Sequence, residues 1–370
     1  MNVLLVQGTS AGGVGRHVVA TAAGLQRRGH RVLLAAPAAA HDDFGVQATG
    51  AGFVAVAIGD RPDPRRDGAA VRRLRQICAG ADVVHAHGLR AGALTALALI
   101  GRRTPLVVTL HNLPVGSVRV RAISTGLELV VARQADAVLG VSGDLVARMA
   151  RRGAARTERA LVPAPPGRPA SGSRQQLAAR LRSDLGLTPG TLLVVTVARL
   201  AVQKGLPLWL DAVAELTGHR GADLAVLIAG DGPLRADLTE RARRQGLPVH
   251  LLGVRSDVSD LFTAADIAVC PSVWEGQPLV VQEALRAGAP LVATDVGGTR
   301  EVAGEAAVLV PYGDPAALAA AVGRLAGDAA ERARLRVAAL ARARELPDDE
   351  ATLDQLERVY AAVRRERRAG

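Results

Sequence analysis

Short uninterrupted apolar runs punctuate the first half of the chain at residues 3–6, 32–36, 53–58, 83–85, 106–110 and 137–141. Runs of this length suit strands buried on both faces of a parallel sheet. Between them the apolar positions spread out to helical spacing. The first such stretch runs from about residue 15 to Arg28 and is closed by Gly29, a residue type that favours helix ends. This strand and helix alternation predicts a doubly wound α/β domain.

The pattern breaks once. Residues 163–174 read Pro-Ala-Pro-Pro-Gly-Arg-Pro-Ala-Ser-Gly-Ser-Arg, a composition that supports no regular element and marks an interdomain linker. Strand-like runs then resume at 192–197, 224–229, 249–252, 267–270, 291–293 and 308–310. The chain closes on a charged helical stretch, 350–368, with Leu353, Leu356, Tyr360 and Val363 at helical spacing. A length of 370 residues also exceeds what one core usually accommodates. The expected organisation is a first domain over residues 1–165, a second over 166–349, and a terminal helix, about 350–370, packed back on the first. Two facing Rossmann-like α/β domains would frame a cleft, with ligand-binding residues at the carboxyl ends of the strands.

Composition narrows the function classes. Only seven residues are aromatic (Trp 2, Tyr 2, Phe 3), too few for a base-stacking surface, so no nucleic-acid partner is expected. The formal charge of +11 raises polyanions as partners, namely nucleic acid, anionic lipid headgroups or a phosphorylated substrate. The competing reading is a sequence that simply writes its basic positions as arginine, as Arg332, Arg334, Arg336 and Arg342 in a helix-like stretch suggest. Lys204 departs from that habit: it is the single lysine among 46 basic residues, which suggests that a compact ammonium is wanted there. The two cysteines, Cys78 and Cys270, fall in separate expected domains, so no disulfide framework is implied and a reducing cytosol fits. The start of the chain has neither a charged n-region nor a long apolar h-region, and its longest uncharged apolar stretch, 93–100, is far short of a membrane span. A cytoplasmic, non-integral protein is expected.

The candidate chemistry follows strands. The first strand-to-helix loop reads Gly8-Thr9-Ser10-Ala11-Gly12-Gly13-Val14-Gly15, glycine-dense where backbone must approach a ligand. Its spacing is not the dinucleotide fingerprint, the second strand ends Ala35-Ala36-Pro37 without a ribose-binding carboxylate, and no Gly-Lys-Ser/Thr makes it a P-loop. After 192–197 comes Ala198-Arg199-Leu200-Ala201-Val202-Gln203-Lys204-Gly205, where Arg199 offers a planar fork and Lys204 a mobile point charge to two adjacent phosphates. Alone, the two read equally well as solvated loop cations. Further on stands Trp274-Glu275-Gly276-Gln277-Pro278-Leu279-Val280-Val281-Gln282-Glu283-Ala284-Leu285-Arg286-Ala287-Gly288. Pro278 suits the first turn of a helix and Gly288 the residue past its end, with Leu279, Ala284 and Leu285 on the apolar side. The amides of Leu279 and Val280 would then face an anionic leaving group. On one helix Glu275 and Glu283 would differ by roughly 80° and about 12 Å along the axis, which is no hydrolase pair. Glu275 is therefore expected before the helix as an acceptor for sugar hydroxyls, and Glu283 within it either as an acceptor for a ribose or as a plain helix-surface carboxylate.

These residues carry a family resemblance. Glu275 and Glu283 with seven residues between them, together with Gly288-Ala289-Pro290-Leu291-Val292-Ala293-Thr294-Asp295-Val296-Gly297-Gly298, resemble the retaining family 4 glycosyltransferases of the GT-B fold. The resemblance extends over Gly12-Gly13-Val14-Gly15-Arg16-His17, Thr109-Leu110-His111-Asn112, Arg199 to Gly205 and Gly230-Asp231-Gly232-Pro233. It implies that Arg199 and Lys204 bind the diphosphate, Glu275 holds the transferred sugar, Glu283 binds ribose, and Gly12 and Gly13 approach the donor from the first domain. It places Gly230, Gly276, Leu279 and Val280 along the donor and makes His111 an active-site histidine near the sugar. Two departures stand out: Val162-Pro163-Ala164-Pro165-Pro166 replaces the family's frequent Pro-Asn-Gly-Val, and Gln277-Pro278 replaces the commoner Phe-Gly beside the sugar.

The expected reaction is transfer of a sugar from a nucleotide diphosphate, UDP favoured over GDP, to a hydroxyl acceptor such as a lipid-linked or cell-envelope glycan. No cofactor and no metal are expected, because Arg199 and Lys204 supply the charge a divalent ion would bring. Residues 115–133 place Arg119, Arg121 and Arg133 among Val, Ile and Leu, which reads first as an ordinary surface helix and second as a contact to anionic lipid at the inner face of the plasma membrane. The competing functions are a sugar-nucleotide epimerase on the same fold and a non-catalytic polyanion- or membrane-binding protein.

Overall fold

The computed structural model describes residues 1–9, 12–113, 118–218 and 223–369. Contacts divide it into two units, Met1–Pro163 with Pro347–Gly370, and Ala164–Leu346. The sequence reading set these boundaries at 165/166 and 349/350. Ala164 goes with the second unit because its amide donates to Gln282 Oε1 (2.7 Å) and its carbonyl accepts from Arg286 Nη1 (2.8 Å).

The first unit is a seven-stranded parallel sheet of β1 (Asn2–Gln7), β2 (Arg31–Ala36), β3 (Gly52–Ala55), β4 (Val83–His87), β5 (Leu106–Leu110), β6 (Ala137–Gly140) and β7 (Thr157–Arg159). Its order is β3-β2-β1-β4-β5-β6-β7. The strand direction of travel reverses between β1 and β4, and it is at such a switch point that loops on the two sides diverge and leave room for ligands. Every residue of β4 and β5 is buried, as central parallel strands require. The apolar pattern had not signalled β7. Its Thr-Glu-Arg sequence is half-buried and polar, and only pairing with β6 at the sheet edge makes it a strand.

The terminal helix, Asp349–Ala369, belongs to this unit. Its own Val359, Tyr360 and Val363 are fully buried. It lies on the helix Gly13–Arg27 at Gly24, where a Cβ would come within 2.6 Å of Leu353 Cδ1. Arg28 then reaches Asp354 and Glu357 (2.8 Å each), and His30 Nε2 meets Glu357 Oε1 (2.7 Å). Apolar contact at Gly24 thus sets the docking, and the charged fringe orients it.

The second unit is a six-stranded parallel sheet of β8 (Leu192–Val197), β9 (Leu224–Ala229), β10 (Val249–Gly253), β11 (Ile267–Cys270), β12 (Leu291–Thr294) and β13 (Ala307–Val310), in the order β10-β9-β8-β11-β12-β13. Its switch point lies between β8 and β11. Strand alternation sends Leu193 and Val195 into one core with Val281, Ala284 and Leu285, and Val194 into the other with Trp209, Leu210 and Val213.

Several arginines of this unit grip backbone. Arg336 donates to the carbonyls of Gly288 (2.9 Å) and Ala265 (3.1 Å), and Arg342 to those of Val302 (3.0 Å) and Glu301 (2.8 Å). Part of the positive charge therefore closes orphan carbonyls at element ends.

Replacing Gly24 by leucine should destabilise the first unit by about 1–3 kcal/mol through overpacking against Leu353. Urea unfolding followed by circular dichroism checks this. An unchanged midpoint would mean the terminal helix is not held there.

Candidate functional site

In the second unit the strand-end loops at the switch point interlock. β8 runs out into Ala198 to Ala201 and a single 3₁₀ turn, Val202–Lys204, ended by Gly205 at φ +64°. A Cβ at Gly205 would overlap the Pro271 carbonyl oxygen, so only glycine lets this loop touch the one leaving β11. Two hydrogen bonds hold the contact, Val273 N to Gln203 O (2.9 Å) and Gln203 Nε2 to Trp274 O (3.3 Å). On the far side, Gly297 at φ +51° lets the loop after β12 press against Glu275, whose carbonyl accepts from Gly298 N (3.0 Å).

Glu275 is thus fixed from both sides with only 6% of its surface exposed. Its Oε1 receives Lys204 Nζ at 2.6 Å and Ser272 Oγ at 2.6 Å. Burial works against the Lys204 ammonium, but the field and hydrogen bond of Glu275 outweigh it and raise its pKa above the ordinary lysine value. The Ser272 carbonyl accepts from Thr294 Oγ1 (2.6 Å), which ties the carboxylate's support to β12. Cys270, next to Ser272, is buried and its thiol is pushed up to about 11, first by burial and then by Glu275.

The helix after this loop is Leu279–Arg286. The first turn was expected to contain Pro278; in the structure Pro278 is the capping residue instead, extended at ψ 107°, and its carbonyl accepts the first helical bond from Gln282 (3.2 Å). The amides of Leu279 and Val280 consequently have no carbonyl partner within the helix. The buried face is Val281, Gln282, Ala284 and Leu285; Leu279, expected on that face, is only half-buried, since it sits at the helix mouth. Glu275 precedes the helix and Glu283 lies in it, half-buried.

The remaining donor-side residues cluster around the same loops. Arg199 follows β8 and is exposed; its carbonyl accepts from Ala201 N (2.8 Å), while its guanidinium has no hydrogen bond or ion pair among the described residues. Gly230 follows β9 and packs on Ala198, whose carbonyl a Cβ would overlap; Gly276 is buried beside Glu275. Lys204 and Glu275 touch, while Arg199 shares the Lys204 loop without bonding to either.

The other expected residues lie in the first unit. Gly12 takes φ +72° as the capping residue of Gly13–Arg27, and Gly13 begins that helix; Ser10 and Ala11 of the same loop lie outside the described residues. His111 follows β5 directly and is 8% exposed. It does not stand alone. Its Nε2 is 3.1 Å from Nδ1 of His87, the last residue of β4, and the two rings meet edge to edge, their planes 22° apart and their centroids 5.4 Å apart. His17 sets its ring edge-on to both, at 5.8 and 5.7 Å. His85 is saturated by Tyr360 Oη on Nδ1 and Thr109 Oγ1 on Nε2, each at 2.7 Å. Burial lowers the pKa of all four, His17 to about 4 and His85 to about 3, and the neighbouring imidazoles lower His85, His87 and His111 further. They are neutral rings at physiological pH.

The sequence reading did not single out His87, His85 or Ser272. The signal for the histidines was there: His85 and His87 alternate at the end of a strand, which puts both on one face. For Ser272 no local signal exists, because its role comes from the fold of the loop.

Family models describe both halves of the chain: Glycosyltransferase Family 4 over residues 11–165 and Glycosyl transferases group 1 over residues 191–328. The alpha-D-kanosaminyltransferase of Streptomyces kanamyceticus is 35% identical over 163 residues, covering 42% of this chain and 42% of that protein, so the match spans less than half of the relative's length. The D-inositol 3-phosphate glycosyltransferase of Xylanimonas cellulosilytica is 30% identical over 315 residues, 78% of this chain and 73% of the relative. Among solved structures, Anabaena HepE in complex with UDP superposes with a TM-score of 0.79 over 98% of this chain and all (100%) of that one, at 21% identity. That likeness shows the fold.

Two measurements test this geometry. Gly297→Ala should lower stability by about 2 kcal/mol and loosen the Glu275 loop, seen as faster hydrogen exchange at Gly298; unchanged exchange would contradict the close packing. The first unit should also weaken as pH falls. A histidine whose folded pKa lies far below 6.5 stabilises fully above that value and loses its share as the unfolded chain takes up protons. Between pH 6.5 and 5 the slope should rise from about 0.7 toward about 1.4 kcal/mol per pH unit for each such ring. Urea titrations read through exchange of β4 and β5 amides would show it, and a flat profile would mean these rings protonate as readily folded as unfolded.

Proposed function

We propose a specific reaction from one premise: this chain belongs to the family 4 glycosyltransferases, with a glycosyl transferases group 1 module in its second half and the GT-B architecture. The reaction is transfer of a hexose or related sugar from a nucleotide diphosphate to a hydroxyl, with retention at the anomeric carbon. UDP is the favoured nucleotide and GDP the second, the first supported by the UDP in the fold relative. The relatives' acceptors, an inositol phosphate by name in one case, support a hydroxyl acceptor without choosing it.

The observation that carries this reading is that positive groups leave two neighbouring strands, β8 and β11, whose loops touch. The Arg199 guanidinium is unpartnered among the described residues, Lys204 follows five residues later in the same loop, and the helix Leu279–Arg286 opens with amides that no carbonyl of the described residues takes. When the bond between anomeric carbon and diphosphate breaks, its electron pair passes to the diphosphate. Fixed cations and helix amides stabilise that charge more in the transition state than in the ground state. The two cations make a divalent ion unnecessary for this role. In this reading Glu275, which already accepts from Lys204, also accepts from a sugar hydroxyl, and Glu283 accepts from a ribose.

Peripheral lipid contact is part of the proposal. The helix Val118–Gln134 begins with Arg119, Val120, Arg121 and Ile123 all exposed, the two apolar ones by 44% and 49%; residues 115–117 lie outside the described residues. Basic and apolar side chains together suit an anionic bilayer surface. Among the described residues no helix is long and apolar enough to cross a membrane.

Thermal shift against UDP, GDP, UDP-glucose and GDP-mannose should show stabilisation by a nucleotide, and no shift with any of them would overturn the donor site. Lys204→Ala should cost about 100-fold in kcat/KM, roughly 3 kcal/mol of transition-state stabilisation, with Lys204→Arg in between. Full activity in Lys204→Ala would remove the lysine from the mechanism. Flotation with phosphatidylglycerol vesicles should be lost in Ile123→Asp and at high salt, whereas equal flotation with neutral vesicles would sink the lipid contact.

A further inference from the structure

The histidine cluster holds one buried polar atom that has no hydrogen-bond partner among the described residues. His87 is 2% exposed, its Nδ1 faces His111 Nε2 at 3.1 Å, and its Nε2 is buried without a partner among the described residues. Each ring is neutral, so each carries one proton, and between two facing nitrogens one must donate and the other accept. Only two arrangements satisfy the contact. If His111 Nε2–H donates, the His87 proton sits on Nε2, a buried N–H with no acceptor. If His87 Nδ1–H donates, the orphan at Nε2 is a lone pair. Buried donors are left unpaired more rarely than acceptors, so the second arrangement is the stable one. It obliges His111 to carry its own proton on Nδ1, the nitrogen that has no partner among the described residues.

We propose that His87 is a positioning residue: it donates from Nδ1 to His111 and locks His111 as the neutral Nδ1–H tautomer, a directed N–H donor for a hydroxyl oxygen of the transferred sugar. This rests on His111 meeting the sugar as read above, but the tautomer itself does not. Free imidazole favours the Nε2–H form, so the lock has to be built. The parts are on hand: the two rings lie edge to edge with their planes only 22° apart, so the His87 Nδ1–H can point in plane at His111 Nε2, His17 sets its ring edge-on to both, and His85, 4.1 Å from His87, is itself pinned by Tyr360 and Thr109. The chain end thereby supports the site through Tyr360.

The test is long-range ¹H–¹⁵N correlation of the histidine rings in the unliganded full-length protein, with His111 assigned through His111→Gln. A protonated Nδ1 and a bare Nε2 on His111 are expected; the reverse overturns the proposal. In His87→Leu, His111 should shift toward the Nε2–H form, and His87→Asn, which keeps a donor at the same place, should restore the Nδ1–H form. An unchanged tautomer in His87→Leu also overturns it, and the wild-type spectrum decides should that variant not fold. With UDP-glucose turnover as the second readout, His87→Leu should lose about 10-fold or more in kcat with little change in KM, rescued in part by asparagine. If His111→Ala retains wild-type kcat while the wild-type tautomer is as expected, the sugar contact fails and the His87 lock stands.

Discussion

A carboxylate with almost no access to water is costly unless something pays the desolvation, and in the second unit Glu275 sets that condition for everything around it. Lys204 and Ser272 both bond to one of its oxygens, and Lys204 can do so only because the loop after β8 lies directly on the loop after β11. That nesting in turn requires glycine at 205 and 297, where any side chain would collide with a carbonyl. The ion pair, the two glycines and the interlocked backbone are one constraint. The free amides of the following helix and the unpartnered Arg199 guanidinium sit where that constraint leaves them.

The first unit places its polar residues by the same topological rule and a different physics. β4 and β5 lie beside the switch point and end in His87 and Leu110, with His111 next. Here the groups are neutral imidazoles, and burial removes their charge instead of pairing it. One unit thus concentrates fixed charge suited to an anionic leaving group, and the other offers uncharged donors and acceptors suited to hydroxyls. Both sets are supported from beneath, by Ser272 and Thr294 in one case and by His85 and Tyr360 in the other.

The basic composition resolves into several roles. Arg336 and Arg342 close backbone carbonyls, Arg174 and Arg182 hold the buried Asp266, and Arg148 and Arg152 hold the buried Glu128. A long planar side chain with several donors does this better than lysine. The net charge therefore says less about partners than its size suggests, and the one lysine says more, because it alone is a compact ammonium seated on a buried carboxylate.

Much of this was legible in the chain itself. Apolar runs marked twelve of the thirteen strands, since a strand buried on both faces has no polar positions to disguise it. The missing one, Thr157–Arg159, is an edge strand whose sequence carries no such run. The glycine-rich loop, Arg199, Lys204 and the Glu275 to Glu283 spacing were visible because they follow strands, and ligand-facing residues in parallel sheets must. What sequence could not settle was which residues share an atom. That Lys204 bonds to Glu275 across 71 positions, that Pro278 caps its helix from outside, and that His87 backs His111 all depend on loops meeting in space. Local pattern determines the elements and the strand ends where chemistry can gather; the partner of each charge and the proton on each ring are decided only when packing brings separate strand ends together and excludes water from between them.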